Sequence, residues 1–229
     1  SITTSTGSAD SGDYTETTLT ATIPAGETST TISIPTTTDG TDEPNETFTV
    51  NGTVTSGTVT STTTSGTVSI TDNDTTPTVS IAPSITVIEG ETVTIPVSID
   101  VPSSVDTVIT ITTTSGSADS GDYTATTVTA TIPAGETSTT VSIPTTTDGT
   151  DEPNETFTIN GTVTSGTIAN TSTSGTVTIT DSDSTPIVSV EPATIIEGET
   201  VTISISIDVP SSVDTVLSIT TSSGSADSE

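Results

Sequence analysis

Four carboxylates, Asp39, Asp42, Glu43 and Glu46, stand within eight residues in the stretch TTTDGTDEPNETFT at Thr36–Thr49, and the same stretch recurs letter for letter at Thr145–Thr158. Carboxylates packed this closely repel one another, and a bound cation is the usual remedy. An all-oxygen cluster suits Ca2+, which takes roughly six to eight oxygen ligands at ~2.3–2.6 Å, whereas Mg2+ demands a stricter octahedron. Two other chemistries use the same residues. Carboxylate pairs such as Glu152 and Glu155 could do acid–base work. Acidic turns also occur with no ligand at all, because Asp and Asn favour turns and an acidic surface keeps a chain soluble.

Composition leaves these groups without partners. The chain has 229 residues, 30 of them acidic, no Lys, Arg or His, and a formal net charge of −30. No ion pair between side chains can form, and self-repulsion opposes the compact state. Nucleic acid and anionic membrane require basic side chains and are excluded as partners. With no His and no Cys, the triads and zinc sites built on them cannot form. Without Lys there is neither a Walker-type phosphate loop nor a Lys–Asn isopeptide crosslink. No stretch is apolar enough to span a bilayer, so direct membrane insertion is not expected of this segment, and any export signal is expected outside it.

Internal repetition is the strongest organisational signal. GSADSGDYT begins at Gly7 and Gly116, an offset of 109, and GSADS returns at Gly224, an offset of 108. The missing residue falls between Pro186 and Glu197. A period this long matches an independent domain rather than a solenoid unit. The expected organisation is the C-terminal part of one repeat at 1–75, a complete repeat at 76–184, and the N-terminal part of a third at 185–229. SITTSTGSADS at Ser1 and SITTSSGSADS at Ser218 show that the chain spans two periods plus a short overlap, and it reads as a window on a longer array.

Those repeats must be all-β. Apolar residues alternate with Thr and Ser, most clearly in TVTIPVSIDV, where Val93, Ile95, Val97, Ile99 and Val101 are expected to face one way. Further strands are read at TVSI (Thr78), TVITIT (Thr107), TVTATI (Thr127), TTVSI (Thr139), TFTING (Thr156) and GTVTIT (Gly175). About seven strands in one period predict an immunoglobulin-like β-sandwich, and several periods predict such sandwiches in a linear array. One Phe per repeat, Phe48 and Phe157, is expected as the largest core side chain.

Strand parity then places the acids. A chain running up and down between two poles brings the first, third and fifth turns, and the end of the seventh strand, to one pole. In the complete repeat these carry Glu89 and Glu91, Asp119 and Asp122, then Asp148, Asp151, Glu152 and Glu155, and finally Asp181 and Asp183. The other pole holds PSSVD, PAGETS and a Ser/Thr-rich turn, with only Asp106 and Glu136.

The ordered motifs IEGE (Ile88), SADSGDY (Ser117), IPAGE (Ile132), TDGTDEPNETF (Thr147) and DSD (Asp181) make the chain resemble the Calx-beta family. That resemblance implies calcium ligands at Glu89, Asp122, Asp148, Glu152, Glu155, Asp181 and Asp183, with the Thr150 carbonyl as a backbone ligand. It carries over to Asp13, Asp39, Glu43, Glu46, Asp72 and Asp74 in the first repeat and to Glu197 in the third. Two departures stand out. Thr38 or Thr147 replaces the first Asp of the family's paired acids, and Asn73 or Ser182 replaces the middle Asp of its terminal triplet. Both point to fewer ions or weaker binding.

From this follows an expectation of a calcium-rigidified structural extender, without enzymatic activity, in a large extracellular or bacterial cell-surface adhesin filament used in adhesion, biofilm formation or gliding. Its partners would be neighbouring repeats and, through lateral self-association, other filaments. An ion holding TDND or TDSD against the turns would fix the outgoing linker, which Pro77 and Pro186 stiffen further. Two alternatives are a Thr-rich face, such as Thr53–Val68, binding glycan or ice directly, and a calcium-independent acidic spacer. Against the first, Thr is simply a good β-former on a solvated face.

Overall fold

The computed structural model describes residues 1–224. Among them every regular element is a β-strand. Residues 76–184 fold as a sandwich. Its smaller sheet has the order β10 (Ser138–Pro144), β7 (Thr92–Ile99), β5 (Val79–Ile81). Its larger sheet runs β6 (Ser84–Ile88), β12 (Ser172–Thr180), β11 (Glu155–Ser165), β8 (Thr107–Ser115), β9 (Thr127–Ile132).

All pairings here are antiparallel except β6 with β12. The first strand therefore crosses from one sheet to the other, and the sequence reading of it as the single run TVSI missed its second half. Prolines mark the switch. Pro83 separates β5 from β6, and Pro96 of β7 lies one residue beyond the last β5 pair, Ile81 with Val97. A residue without an N–H is tolerated where a ladder has ended. Gly175 lets the crossing chain approach β12, since a Cβ there would lie 2.2 Å from the Ala82 carbonyl oxygen.

Period-two alternation builds the core. Val93, Ile95, Val97 and Ile99 point inward from β7, at most 5% exposed, against Ile109, Ile111, Ile143, Ile159 and Val177. Val101 is only half-buried because β7 ends at Ile99. The expectation that Phe is the largest core side chain is corrected. Tyr123 is also buried and stacks on Phe157 with ring centroids 4.1 Å apart and an interplanar angle of 8°. Tyr14 and Phe48 repeat the stack at 4.1 Å and 9°. The Tyr123 hydroxyl finds a partner 3.2 Å away in the Ser115 hydroxyl, whereas that of Tyr14 is buried without one.

The flanking repeats keep this pattern. Residues 1–75 form a sheet of order β2 (Thr18–Leu19), β1 (Ile2–Thr6), β3 (Glu46–Thr53), β4 (Thr63–Ile70). In the third repeat β13 (Val188–Val190) pairs antiparallel with β14 (Ile205–Ile207). Asn170 commits its side chain to the fold, accepting from the Val79 amide at 2.8 Å and donating to the Val79 carbonyl at 2.8 Å.

Ile95, fully buried, and Ile88, 48% exposed, separate the two faces of the fold. Ile95→Ala is expected to cost about 2–5 kcal/mol in urea unfolding, by lost transfer energy plus a cavity. Ile88→Ala should stay within about 0.5 kcal/mol.

Candidate metal centre

Four segments of the central sandwich meet at one pole, as strand parity predicts. The β6–β7 turn brings Glu89, the β8–β9 turn Asp122, the β10–β11 loop Glu152 and Glu155, and the end of β12 Asp181 and Asp183. Backbone bonds hold each segment in place. The Glu89 amide donates to the Thr180 carbonyl at 3.0 Å. Gly90 turns the chain with φ 78°, and its missing Cβ makes room for the Thr147 side chain. Thr145 bonds the Glu91 carbonyl twice, by its amide at 2.9 Å and its hydroxyl at 2.7 Å. The β8–β9 turn is tied to the start of β11 through the Ala118 amide on the Thr156 carbonyl, 3.0 Å, and the Thr156 amide on the Ser117 hydroxyl, 2.8 Å.

The aromatic stack lies directly beneath the acids. Tyr123 follows Asp122, and Phe157 stands two residues after Glu155 on the same side of β11. Stacking the rings therefore sets the two carboxylates side by side. Asp13–Tyr14 and Glu46–Phe48 repeat the device. Sequence reasoning treated these aromatics as core filling alone; the D-Y and E-x-F spacing was the available signal.

Two triads result in the central repeat, Asp122–Glu152–Glu155 and Glu89–Asp181–Asp183, and one in the first, Asp13–Glu43–Glu46. Within each, one oxygen per carboxylate lies within 4.8 Å of the others. Oxygens on opposite sides of a calcium ion would stand about 4.6–5.2 Å apart, so the spacing fits. Glu89, Asp122, Glu152, Glu155 and Asp181 line one cavity, so the two central triads adjoin. In the first repeat Asp13, Asp39, Glu43, Glu46, Asp72 and Asp74 line the corresponding cavity.

The remaining assignments divide. Asp148 is not drawn into its cavity. It is exposed and closes a turn, accepting from the amides of Gly149 and Thr150, the latter at 2.6 Å, which holds its carboxyl below the usual range. Its counterpart Asp39 accepts from the Thr41 amide at 2.7 Å yet lines the first cavity. Thr150 contributes its amide to that turn, and Glu197 is exposed outside every triad among the described residues. Ser182 donates to Glu89 at 2.8 Å, so the residue replacing an acid now steadies one.

Electrostatics record the crowding. Glu155 is pushed up to about 7, first by burial and then by its hydrogen-bonding contact with Asp122 and that group's charge. Glu46 is likewise pushed up to about 7, by burial and then by Asp13. Glu43, Glu89 and Glu152 are raised in the same direction, burial leading in each. Asp181 Oδ1 and Asp183 Oδ2 are buried with no hydrogen-bond partner. An unpaired buried carboxylate oxygen is costly, and in a chain lacking cationic side chains a metal ion is a group that would satisfy it. The donor set is all oxygen, which suits Ca2+.

Because Glu46 and Glu155 are raised, the folded chain holds protons that the unfolded chain releases above about 4.5. Their stabilisation is complete below about 4.5 and is lost as pH rises through about 7. In chelator the melting temperature should accordingly fall between pH 5 and pH 8, and Glu155→Gln should flatten that slope. A melting temperature rising with pH would contradict the geometry.

A family model described as a domain of unknown function (DUF5006) matches residues 1–184, and the chain belongs to that family. No curated protein matches it. Among solved structures it is similar to the apo-form Calx CBD1 domain, 21% identical over 46% of this chain and 99% of that one, TM-score 0.41. It is similar also to CBD12 from CALX1.2, 21% identical over 45% of this chain and 46% of that one, TM-score 0.41. The calcium binding domain CBD12 of CALX1.1 is 20% identical over 54% of this chain and 53% of that one, TM-score 0.41.

Proposed function

We propose that this member of the DUF5006 family is a calcium-rigidified extender, a stalk segment of a large, repetitive, secreted or cell-surface bacterial adhesin filament that supports adhesion, biofilm formation or gliding. The observation that carries the calcium reading is the pair of buried, partnerless oxygens on Asp181 and Asp183, facing Glu89 in a chain with no basic side chain. Both acids stand at the exit of β12, where the chain leaves for the next repeat. An ion tying them to Glu89 would fix the outgoing linker and remove the conformational entropy of a free hinge. Near-identical tandem repeats suit a spacer whose value is length, with target binding left to other parts of the filament. On this reading the chain is not an enzyme, its partners are its own neighbouring repeats, and filaments associate laterally once cations screen their charge.

The test is calorimetric titration of calcium into the chelator-stripped chain, with small-angle scattering before and after. Saturable binding with a longer, stiffer particle is expected, and Asp181→Asn with Asp183→Asn should weaken the central site by about tenfold or more. Binding with no change of shape would leave a calcium-binding spacer, and no binding would leave an acidic one. Terbium gives a second readout, because the chain's two tyrosines, Tyr14 and Tyr123, each adjoin one acidic pole and have no rivals as sensitisers.

A further inference from the structure

The β10–β11 loop has a second face. Residues 40–45 carry Glu43 into the first triad, and the residue before it, Asp42, is 5% exposed and paired in a parallel β-bridge with Ser103 of the following repeat. The Asp42 amide donates to the Pro102 carbonyl at 3.0 Å, and the Ser104 amide donates to the Asp42 carbonyl at 3.0 Å. One period later the same joint is rebuilt. Asp151 bridges Ser211, its amide donating to the Pro210 carbonyl at 3.0 Å and its carbonyl accepting from the Ser212 amide at 3.1 Å. The P-S-S turn, which sequence reading left as an acid-poor turn with no role, is thus a receptor for the acidic loop of the repeat before it. Both joints are built alike although the intervening linkers differ, TTPT at Thr75–Thr78 and STPI at Ser184–Ile187. The backbone pairing is thus made by the two poles, and the linkers share only Thr76–Pro77 and Thr185–Pro186.

Adjacent positions in one loop do two jobs. Asp42 is locked to the next repeat while Glu43, one peptide unit away, reaches the cation triad; Asp151 and Glu152 divide the work in the same way. A peptide unit is planar and stiff, so bonding both sides of the Asp42 backbone to the next repeat places the Glu43 backbone from which the side chain reaches the triad. We infer that each cation site is energetically coupled to the joint on its C-terminal side, through the Asp42–Ser103 and Asp151–Ser211 bridges, so that the P-S-S turn of one repeat sets the affinity of the site in the repeat before it. This rests on the calcium reading above. Coupling is reciprocal, so an ion tightens the joint by the factor that the joint tightens the ion. It is also directional. The first site answers to Ser104 and the central site to Ser212.

Terbium luminescence in the full chain separates the two sites. Tyr123→Phe leaves Tyr14 to report the first site, and Tyr14→Phe leaves Tyr123 to report the central one. Ser104→Pro removes the amide that donates to Asp42 and touches no carboxylate. As a second variant, two glycines inserted between Thr75 and Thr76 part the poles without altering either sandwich. Both changes should weaken terbium at the first site by about fivefold or more and leave the central site unchanged. If the parent chain binds terbium and neither change moves the first site, or both sites move equally, the coupling is overturned while the calcium reading stands. If the parent binds no terbium, and calcium does not compete for either tyrosine, the calcium reading falls and the coupling falls with it.

Discussion

Charge balance without a single basic side chain is the constraint on which this structure depends. Each carboxylate must be stabilised by something other than Lys or Arg, and the fold uses three solutions. Backbone amides serve Asp100, which accepts from the Thr78 amide at 2.6 Å and is held below its usual range by that bond first. Amides also bond the carboxylates of Asp148 and Asp119. Burial first, and then the neighbouring Asp13 or Asp122, pushes Glu46 and Glu155 up to about 7, which favours their neutral forms. Asp181 Oδ1 and Asp183 Oδ2 are buried with no hydrogen-bond partner. Even at the pole the backbone reaches Asp13 and Asp122, each bonded at 2.6 Å by an amide three residues earlier, so the partnerless oxygens of Asp181 and Asp183 mark where intramolecular means run out.

Much of this was legible because β-structure writes itself in a short code. Alternation of Val and Ile with Thr fixed β7 and its buried face, and the count of turns fixed which of them share a pole. The poles in turn predicted that Glu89, Asp122, Glu152, Glu155, Asp181 and Asp183 would converge. Illegible were the features that depend on partners distant in sequence. The crossing of the first strand between sheets needs the Gly175 gap opposite Ala82, which no local pattern announces. Asp148 looked equivalent to its neighbours until the Gly149 and Thr150 amides claimed it. The Tyr123–Phe157 stack joins residues 34 apart, and its only trace in the sequence is the D-Y and E-x-F spacing.

Substitutions at the pole show how much of the site is tolerance and how much is geometry. Thr147 stands where the family resemblance calls for an acid, and its methyl-bearing Cβ packs over Gly90 instead. Ser182 stands where another acid is expected and donates to Glu89. Each exchange removes a charge from a crowded region and adds a contact that holds a surviving carboxylate or its turn. Fewer charges lower the repulsion that must be overcome before any ion arrives, at the expense of ligands once it has.

The joint explains why near-identity of the repeats has structural meaning. In a spacer joined only by linkers, each linker sets its own angle and sequence drift between repeats costs nothing. Here the angle is read from two poles, the acidic loop of one repeat and the P-S-S turn of the next, and both recur unchanged. Variation is confined to places the joint ignores. The one-residue deletion in the third repeat falls between Pro186 and Glu197, in the stretch matching β6 and away from both poles' pairing residues. Asn170 against Ser61 and Ser115 against Thr6 differ without touching a bridge. The same two-residue β-bridge thus joins each repeat to the next at both junctions of this chain, Asp42 with Ser103 and Asp151 with Ser211.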